Sequence, residues 1–190
     1  LWITQKNVVK QPQMFAIVDI ETTGGQVGAN NITEIAIVLY NGNEVEGKFS
    51  TLVNPCIPIQ KYVQSLTGIT DAMVATAPKF EQLAPNIFNL LKDRIFVAHN
   101  VGFDYPIVQQ ELALSGLNLN TNKLCTIKLA KKIFPGLPKY GLGTLCRELN
   151  ISLKGHHRAS DDALATAELF SMLIRHDKSG ELQRMLKKKG

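Results

Sequence analysis

The amino-acid sequence predicts an α/β (α+β) fold, a mixed sheet flanked by helices, and three observations carry that reading. The first third of the chain reads as three short strands in succession, the pattern of an antiparallel meander. The remainder alternates short apolar β-rich runs with helical periodicity, the pattern of strand–helix–strand units. With 190 residues, 45% of them hydrophobic, the chain has the apolar content for one continuous core, which sets aside a disordered or low-complexity class. The domain is placed at residues 14–176, with 177–190 a basic C-terminal tail or the start of a linker. Met14 stands directly before the first strand, so residues 1–13 read as an N-terminal extension or tag remnant and are left out of the fold reasoning.

The first strand is "FAIVDI" (15–20), a run of β-formers with no polar face until its end, as a central buried strand requires. "NITEIAIVLY" (31–40) is the second. Asn41 and Gly42 supply a turn that tolerates positive φ, and "EVEGKFSTLV" (44–53) then alternates, Val45, Phe49, Thr51 and Val53 opposing Glu46, Lys48 and Ser50. Pro55 and Pro58 mark a connection. Phe80, Leu83, Ala84, Ile87, Leu90 and Leu91 recur at helical spacing, with Pro85 expected to kink or shorten that helix. "RIFVAH" (94–99) is a fourth, buried strand, and a helix is expected from Asp104 or Pro106 to Ser115 with Gly116 as its cap. A short fifth strand near Leu124 and helices over 126–133, 142–149 and 160–174 complete the chain.

The formal charge of +5 favours a polyanionic partner, and its distribution says more. From Lys123 to Arg158 there are eight basic residues and a single acid, Glu148, so this stretch is either a solvated helix face or a track for phosphates. The three cysteines are odd in number and lack a C-x-x-C pair, which excludes a disulfide framework and argues against a zinc site. A reducing, cytoplasmic setting is the expectation. No apolar run approaches the roughly 20 residues of a membrane span, and no signal-peptide core is present.

Four acids then draw the eye. Asp19 and Glu21 are two apart at the end of the first strand and so project from the same side. Such a pair repels unless protonated, hydrogen-bonded or bridged by cations; it is also ordinary turn material if the strand has already reached solvent. Asp104 follows the fourth strand in "AHNVGFDYP", where an N-cap role would account for it, although His99, Asn100 and Gly102 beside it suit a ligand site. "HHRASDDA" (156–163) offers two histidines and two aspartates at a helix start. From Asp162 the helical line passes through Ala165, Thr166, Leu169 and Leu173, whereas that from Asp161 reaches Glu168, so Asp162 is the inward acid.

In these residues the chain resembles the DnaQ-like exonucleases of the DEDDh group, typified by the epsilon proofreading subunit of bacterial DNA polymerase III. The resemblance runs from 15 to 174 through "DIETTG", "HNVGFD" and "HRASDDA", three motifs in order, and "LTGIT" (66–70) is similar to a further family segment near the terminal nucleotide. It implies an RNase H-like five-stranded sheet and a 3′–5′ exonuclease that uses two divalent cations, Mg²⁺ or Mn²⁺, hard ions suited to carboxylate oxygens. By resemblance Asp19 bridges both ions, Glu21 and Asp162 complete one site and Asp104 holds the second. The spacing of the third motif selects His157 as general base, a role that an unperturbed imidazole pKa of about 6.5 suits. His156 is assigned no catalytic role, and His99 reads as a satisfied strand-end histidine. Thr22, Thr23, Leu66, Gly68, Ile69, Asn100 and Phe103 are the substrate contacts the resemblance implies.

The expected substrate is the 3′ end of single-stranded or frayed DNA, releasing nucleoside 5′-monophosphates in proofreading or repair. The same chemistry on RNA is the nearest alternative, and a nonenzymatic nucleic-acid-binding module is the alternative of a different class. The last predicts a missing ligand acid, and none is missing. A DNA polymerase or a fused nuclease domain is the expected protein partner.

Overall fold

The computed structural model describes residues 13–24, 31–155 and 157–187, so residues 1–12 of the predicted N-terminal extension, and His156, lie outside the described residues. The meander forms as expected: β1 (Phe15–Thr22), β2 (Ile32–Tyr40) and β3 (Val45–Leu52) pair antiparallel in sequence order. On the far side of β1, β4 (Ile95–Ala98) and β5 (Lys123–Cys125) add parallel strands, giving a five-stranded sheet of order β3-β2-β1-β4-β5. On β3 only Glu46, Lys48 and Ser50 of the polar face and Val45 at the strand start are exposed, as befits an edge strand with one covered face.

Helices cover both faces. The alternation along β1 sends Phe15 and Ile17 toward α5 (Thr126–Ile133), α6 (Leu142–Glu148) and α7 (Ala159–His176), and Ala16, Val18 and Ile20 toward α3 (Phe80–Leu91) and α4 (Val101–Leu114). In the first layer Phe170 meets Phe15 edge-on at 4.9 Å and Tyr40 at 6.1 Å. In the second, Phe96 and Tyr105 pack edge-to-face at 5.1 Å. Among the described residues no helix is long and apolar enough to cross a membrane.

Four features differ from the sequence expectation. Pro85, expected to kink or shorten α3, does not shorten it, because Pro85 and Glu81 both face solvent and water can take the carbonyl that lost its helical partner. α4 begins at Val101 rather than at Asp104 or Pro106, since Asn100 adopts φ 79° and starts the helix as its N-cap; Asp104 is therefore inside the helix and is not a cap. The proline-marked connection contains two short helices, α1 (Lys61–Thr67) and α2 (Asp71–Val74), which bury Val63, Ile69 and Val74 with Ile59 in a small core of their own. Finally, the segment read as a solvated tail or linker forms α8 (Glu181–Lys187), whose Leu182 is buried in the α5–α7 layer. The basic residues of "RMLKKKG" masked this helix, because its one fully buried anchor precedes them.

Leu182→Ala separates a docked helix from a dispensable tail. The substitution is expected to cost about 2 kcal/mol, the low end for a buried leucine near a chain end, and to lower the thermal midpoint by several degrees. An unchanged midpoint in a melting curve would return α8 to the status of a tail.

Candidate active site

Asp19 and Glu21 continue the face of β1 that carries Phe15 and Ile17, and so emerge on the α7 side of the sheet. Their neighbours across the ladder are Ala36 and Glu34 respectively, which places a third carboxylate directly opposite Glu21. On the other edge, β1 pairs with β4 only as far as Ile17 and Val97, leaving the last residues of β1 without a strand partner there. The chain turns into α4 at this gap. Asp104, 4% exposed, lies at this end of β1, where the nearby backbone N–H of Ile20 favours its charged form.

α7 supplies the facing wall. Ala159, Asp162, Ala163 and Thr166 lie buried, and these small residues let the helix approach the sheet closely enough for a short aspartate to reach β1. Asp162 is 5% exposed while Leu164 stands at 36% and Glu168 is exposed, so the helix-face expectation separates the two aspartates correctly. Asp161 turns back instead: a Cβ built on Gly155 would lie 2.4 Å from its Oδ2. His157 has φ +69° and its backbone N–H donates to Asp162 Oδ2 at 3.1 Å. Glu21, His157 and Asp162 offer ligand atoms all within 4.8 Å of one another. Next in the chain, Arg158 grips Glu34 through Nη2 at 2.9 Å and Nε at 3.1 Å, and the N–H of Ala159 donates to the same carboxylate at 2.9 Å.

The electrostatics follow from this crowding. Burial, then Asp104, Asp162, Glu21 and Glu34 in turn, push the Asp19 carboxyl well above its ordinary value. Burial, Asp162 and Glu34 raise Glu21 to about 7 against the opposing pull of Arg158. Asp104 rises to about 8, chiefly by burial, although its own N–H and that of Ile20 favour the charged form. Carboxyl groups whose hold on their protons is strengthened first by burial and then by one another form a donor set that suits a hard divalent cation.

The expected substrate contacts divide. Thr22, Leu66 and Phe103 line a cavity of about 190 Å³ together with Glu21 and Tyr62. Thr23 is buried and its hydroxyl accepts the N–H of Asn31, so it closes the loop after β1. Gly68 caps α1 at φ 72° with no neighbour near its missing Cβ, and Asn100 is exposed at the start of α4. Ile69, also expected to contact substrate, is buried in the small core with Ile59, Val63 and Val74.

Three residues were not singled out from the sequence. Glu34 had a signal, a lone acid within an otherwise apolar buried strand. Tyr62 lies one helical turn before Leu66 and shares its face, 61% exposed, so the α1 periodicity would have found it had the helix been read. Its place beside Glu21 depends on Gly24, where a Cβ would come within 2.5 Å of Val63 Cγ2 and 2.9 Å of Tyr62 Oη. Arg158 was counted only as one more basic residue.

The RNase_T exonuclease family model matches residues 16–170. DNA polymerase III subunit epsilon of Aquifex aeolicus is 36% identical over 161 residues, which are 84% of this chain and 80% of that protein. The 3′-5′ exonuclease DinG of Bacillus subtilis is 36% identical over 164 residues, 85% of this chain; the chain spans only 18% of that relative, and 11% of a PolC-type DNA polymerase III. Among solved structures, Exonuclease X in complex with 5′ overhanging duplex DNA superposes with a TM-score of 0.73 at 30% identity, covering 90% of this chain and 96% of that one.

The raised carboxyl groups set a pH dependence. Glu21 and Asp104 keep their protons up to about 7 and about 8, while an unfolded chain releases them near the ordinary carboxylate value of about 4. The folded, metal-free protein thus binds more protons than the unfolded chain across this window, and its stability falls as pH rises from about 4 to about 8. Its thermal midpoint should be lower at pH 8 than at pH 5, and Mg²⁺ or Mn²⁺ should raise it more at pH 8. A midpoint that climbs through the window without metal would contradict this charge arrangement.

Proposed function

The chain belongs to the RNase_T exonuclease family, and from that membership we propose that it is a 3′–5′ exonuclease acting on single-stranded or frayed DNA 3′ ends. Each turnover adds water across the terminal phosphodiester bond, releasing a nucleoside 5′-monophosphate and leaving a new 3′-hydroxyl. The observation that carries the proposal is the convergence of acids from β1, α4 and α7 beside one histidine, at the mouth of a cavity with exposed apolar walls.

The family is metal-dependent in general, and the donor set here fits hard cations. Asp19, Glu21, Asp104 and Asp162 are the residues that hold them, and we propose two ions, Mg²⁺ or Mn²⁺. When bound, such ions neutralise charge on the phosphate and acidify an attacking water. His157 takes the proton of that water. Tyr62, Leu66 and Phe103, exposed at 61%, 51% and 37% around Glu21, support stacking of the terminal base, which needs apolar faces but no base-specific contacts. Thr22 lies in the same wall.

The basic stretch from Lys123 to Arg158 leads in sequence into this site. Lys128, Lys131, Arg147 and Lys154 are exposed, and Lys154 stands three residues before His157, so the strand upstream of the cut has phosphate partners at hand. A DNA polymerase is the partner that the names of the relatives support, whether as a separate subunit or on one chain; a fused nuclease domain is the other arrangement. A cytoplasmic setting accords with Cys56, Cys125 and Cys146 all being free.

A time course with 3′-labelled and 5′-labelled oligonucleotides, with and without Mg²⁺ or Mn²⁺, reads activity, polarity and metal need together. Asp19→Ala should abolish metal-dependent degradation in a protein that still folds, and undiminished turnover would remove the two-metal reading. Equimolar DNA and RNA oligomers decide the substrate, faster RNA loss overturning the choice of DNA. His157→Ala should slow turnover by about 10²- to 10⁴-fold with little change in metal affinity; parent-like rates would remove His157 as the base.

A further inference from the structure

Glu34 is buried to 3% exposure, and the reaction proposed above gives it no task. Its carboxylate receives three hydrogen bonds from the turn into α7: two from the Arg158 fork, at 2.9 and 3.1 Å, and one from the Ala159 N–H at 2.9 Å. The residue before that fork is His157. Its φ of +69° lies in the left-handed region, which a non-glycine residue keeps only where its surroundings over-determine it.

Three contacts do so. Arg158 is tied to β2 through Glu34, the His157 N–H is tied to Asp162, and the Asp161 carboxylate closes against Gly155 at the start of the turn. Fold stability alone does not call for the Glu34–Arg158 pair. α7 already holds the sheet through Ala163, Leu169, Phe170 and Leu173, all at 0% exposure, and an ion pair whose arginine side chain is 38% exposed adds little to the stability of a fold. What the pair adds is direction. A bidentate fork fixes both the position and the plane of Arg158, and therefore the course of the backbone one residue earlier.

We infer that Glu34 and Arg158 are positioning residues: their fork holds the His157 backbone in its left-handed conformation and thereby sets where the imidazole meets the attacking water. The inference rests on the exonuclease reading above for its consequence, though not for its geometry.

The test combines a double-mutant cycle with a measurement on metal-free protein. Arg158→Gln and Glu34→Gln should each lower kcat by roughly tenfold to a hundredfold, as expected for a small misplacement of a catalytic group, while KM for a labelled single-stranded oligonucleotide moves little. The variant carrying both substitutions leaves no unpaired buried charge and guards against a folding failure. In a His157→Ala background, Arg158→Gln should cause no further loss of kcat. The same fractional loss with and without the imidazole would overturn the inference, because the arginine would then act by another route. In the metal-free protein, amide exchange at His157 should accelerate in Arg158→Gln while Phe170, in the core, keeps its protection. Unchanged protection at His157 would equally overturn the inference. The amide measurement decides the clamp even if the parent shows no nuclease activity, an outcome that removes the exonuclease reading alone.

Discussion

Glu21 and Glu34 face each other across β1 and β2, Asp19 lies two residues back on the same face, and Asp162 arrives from α7. Two like charges within 4.8 Å, as for Glu21 and Asp162 when both are ionised, repel by at least about 3 kcal/mol at an effective dielectric near 20. A domain whose whole stability is about 5–15 kcal/mol cannot hold several such pairs ionised without help. Burial first, and this repulsion after it, make the polypeptide alone keep protons, raising Glu21 to about 7 and Asp104 to about 8. The cluster is thus a debt of charge that a divalent cation settles, and the local architecture is arranged around that deficit.

Each neighbouring element has a shape that serves the cluster. β4 stops pairing with β1 at Ile17, so α4 can insert Asp104 where a strand would otherwise run. α7 presents alanines and a threonine to the sheet, which brings its first turn within reach of β1. α1 packs against Gly24 so tightly that no side chain fits there, and the exposed rings and aliphatic groups of the cavity are carried on that helix and on α4. These are all features of spacing: a missing strand residue, missing methylene groups and a missing Cβ.

That explains what was legible in the sequence and what was not. The strands and the longer helices follow from periodicity, and Asp162 was distinguishable from Asp161 because the two lines down one helix differ in polarity at Glu168. The start of α4 was placed too late, at Asp104 or Pro106, because proline usually marks a first turn, whereas here Pro106 sits at a position where its carbonyl partner, Gly102, is open to water. α1 and α2 were hidden by short length, since four to seven residues give too few turns for a period to register. Ile69 was drawn toward the substrate by its motif, yet the same motif needs an apolar anchor beneath α1. Glu34 and Arg158 are far apart in sequence, and nothing local to either reveals the partner.

The pairing of Arg158 with Glu34 also bears on the cation site proposed above. An arginine this near to Glu21 could neutralise it directly, and a guanidinium bonded to Glu21 would compete with any metal for the same oxygens. Instead both fork nitrogens are committed to Glu34, on the neighbouring strand, and Arg158 lowers Glu21 only as the weakest of the influences on it. Glu34 therefore acts in two directions. It adds negative charge that raises Glu21 and Asp19, and it engages the Arg158 guanidinium on the neighbouring strand. The net effect leaves the oxygens of Glu21 and Asp162 open to a divalent ion, with the imidazole of the same turn close beside them.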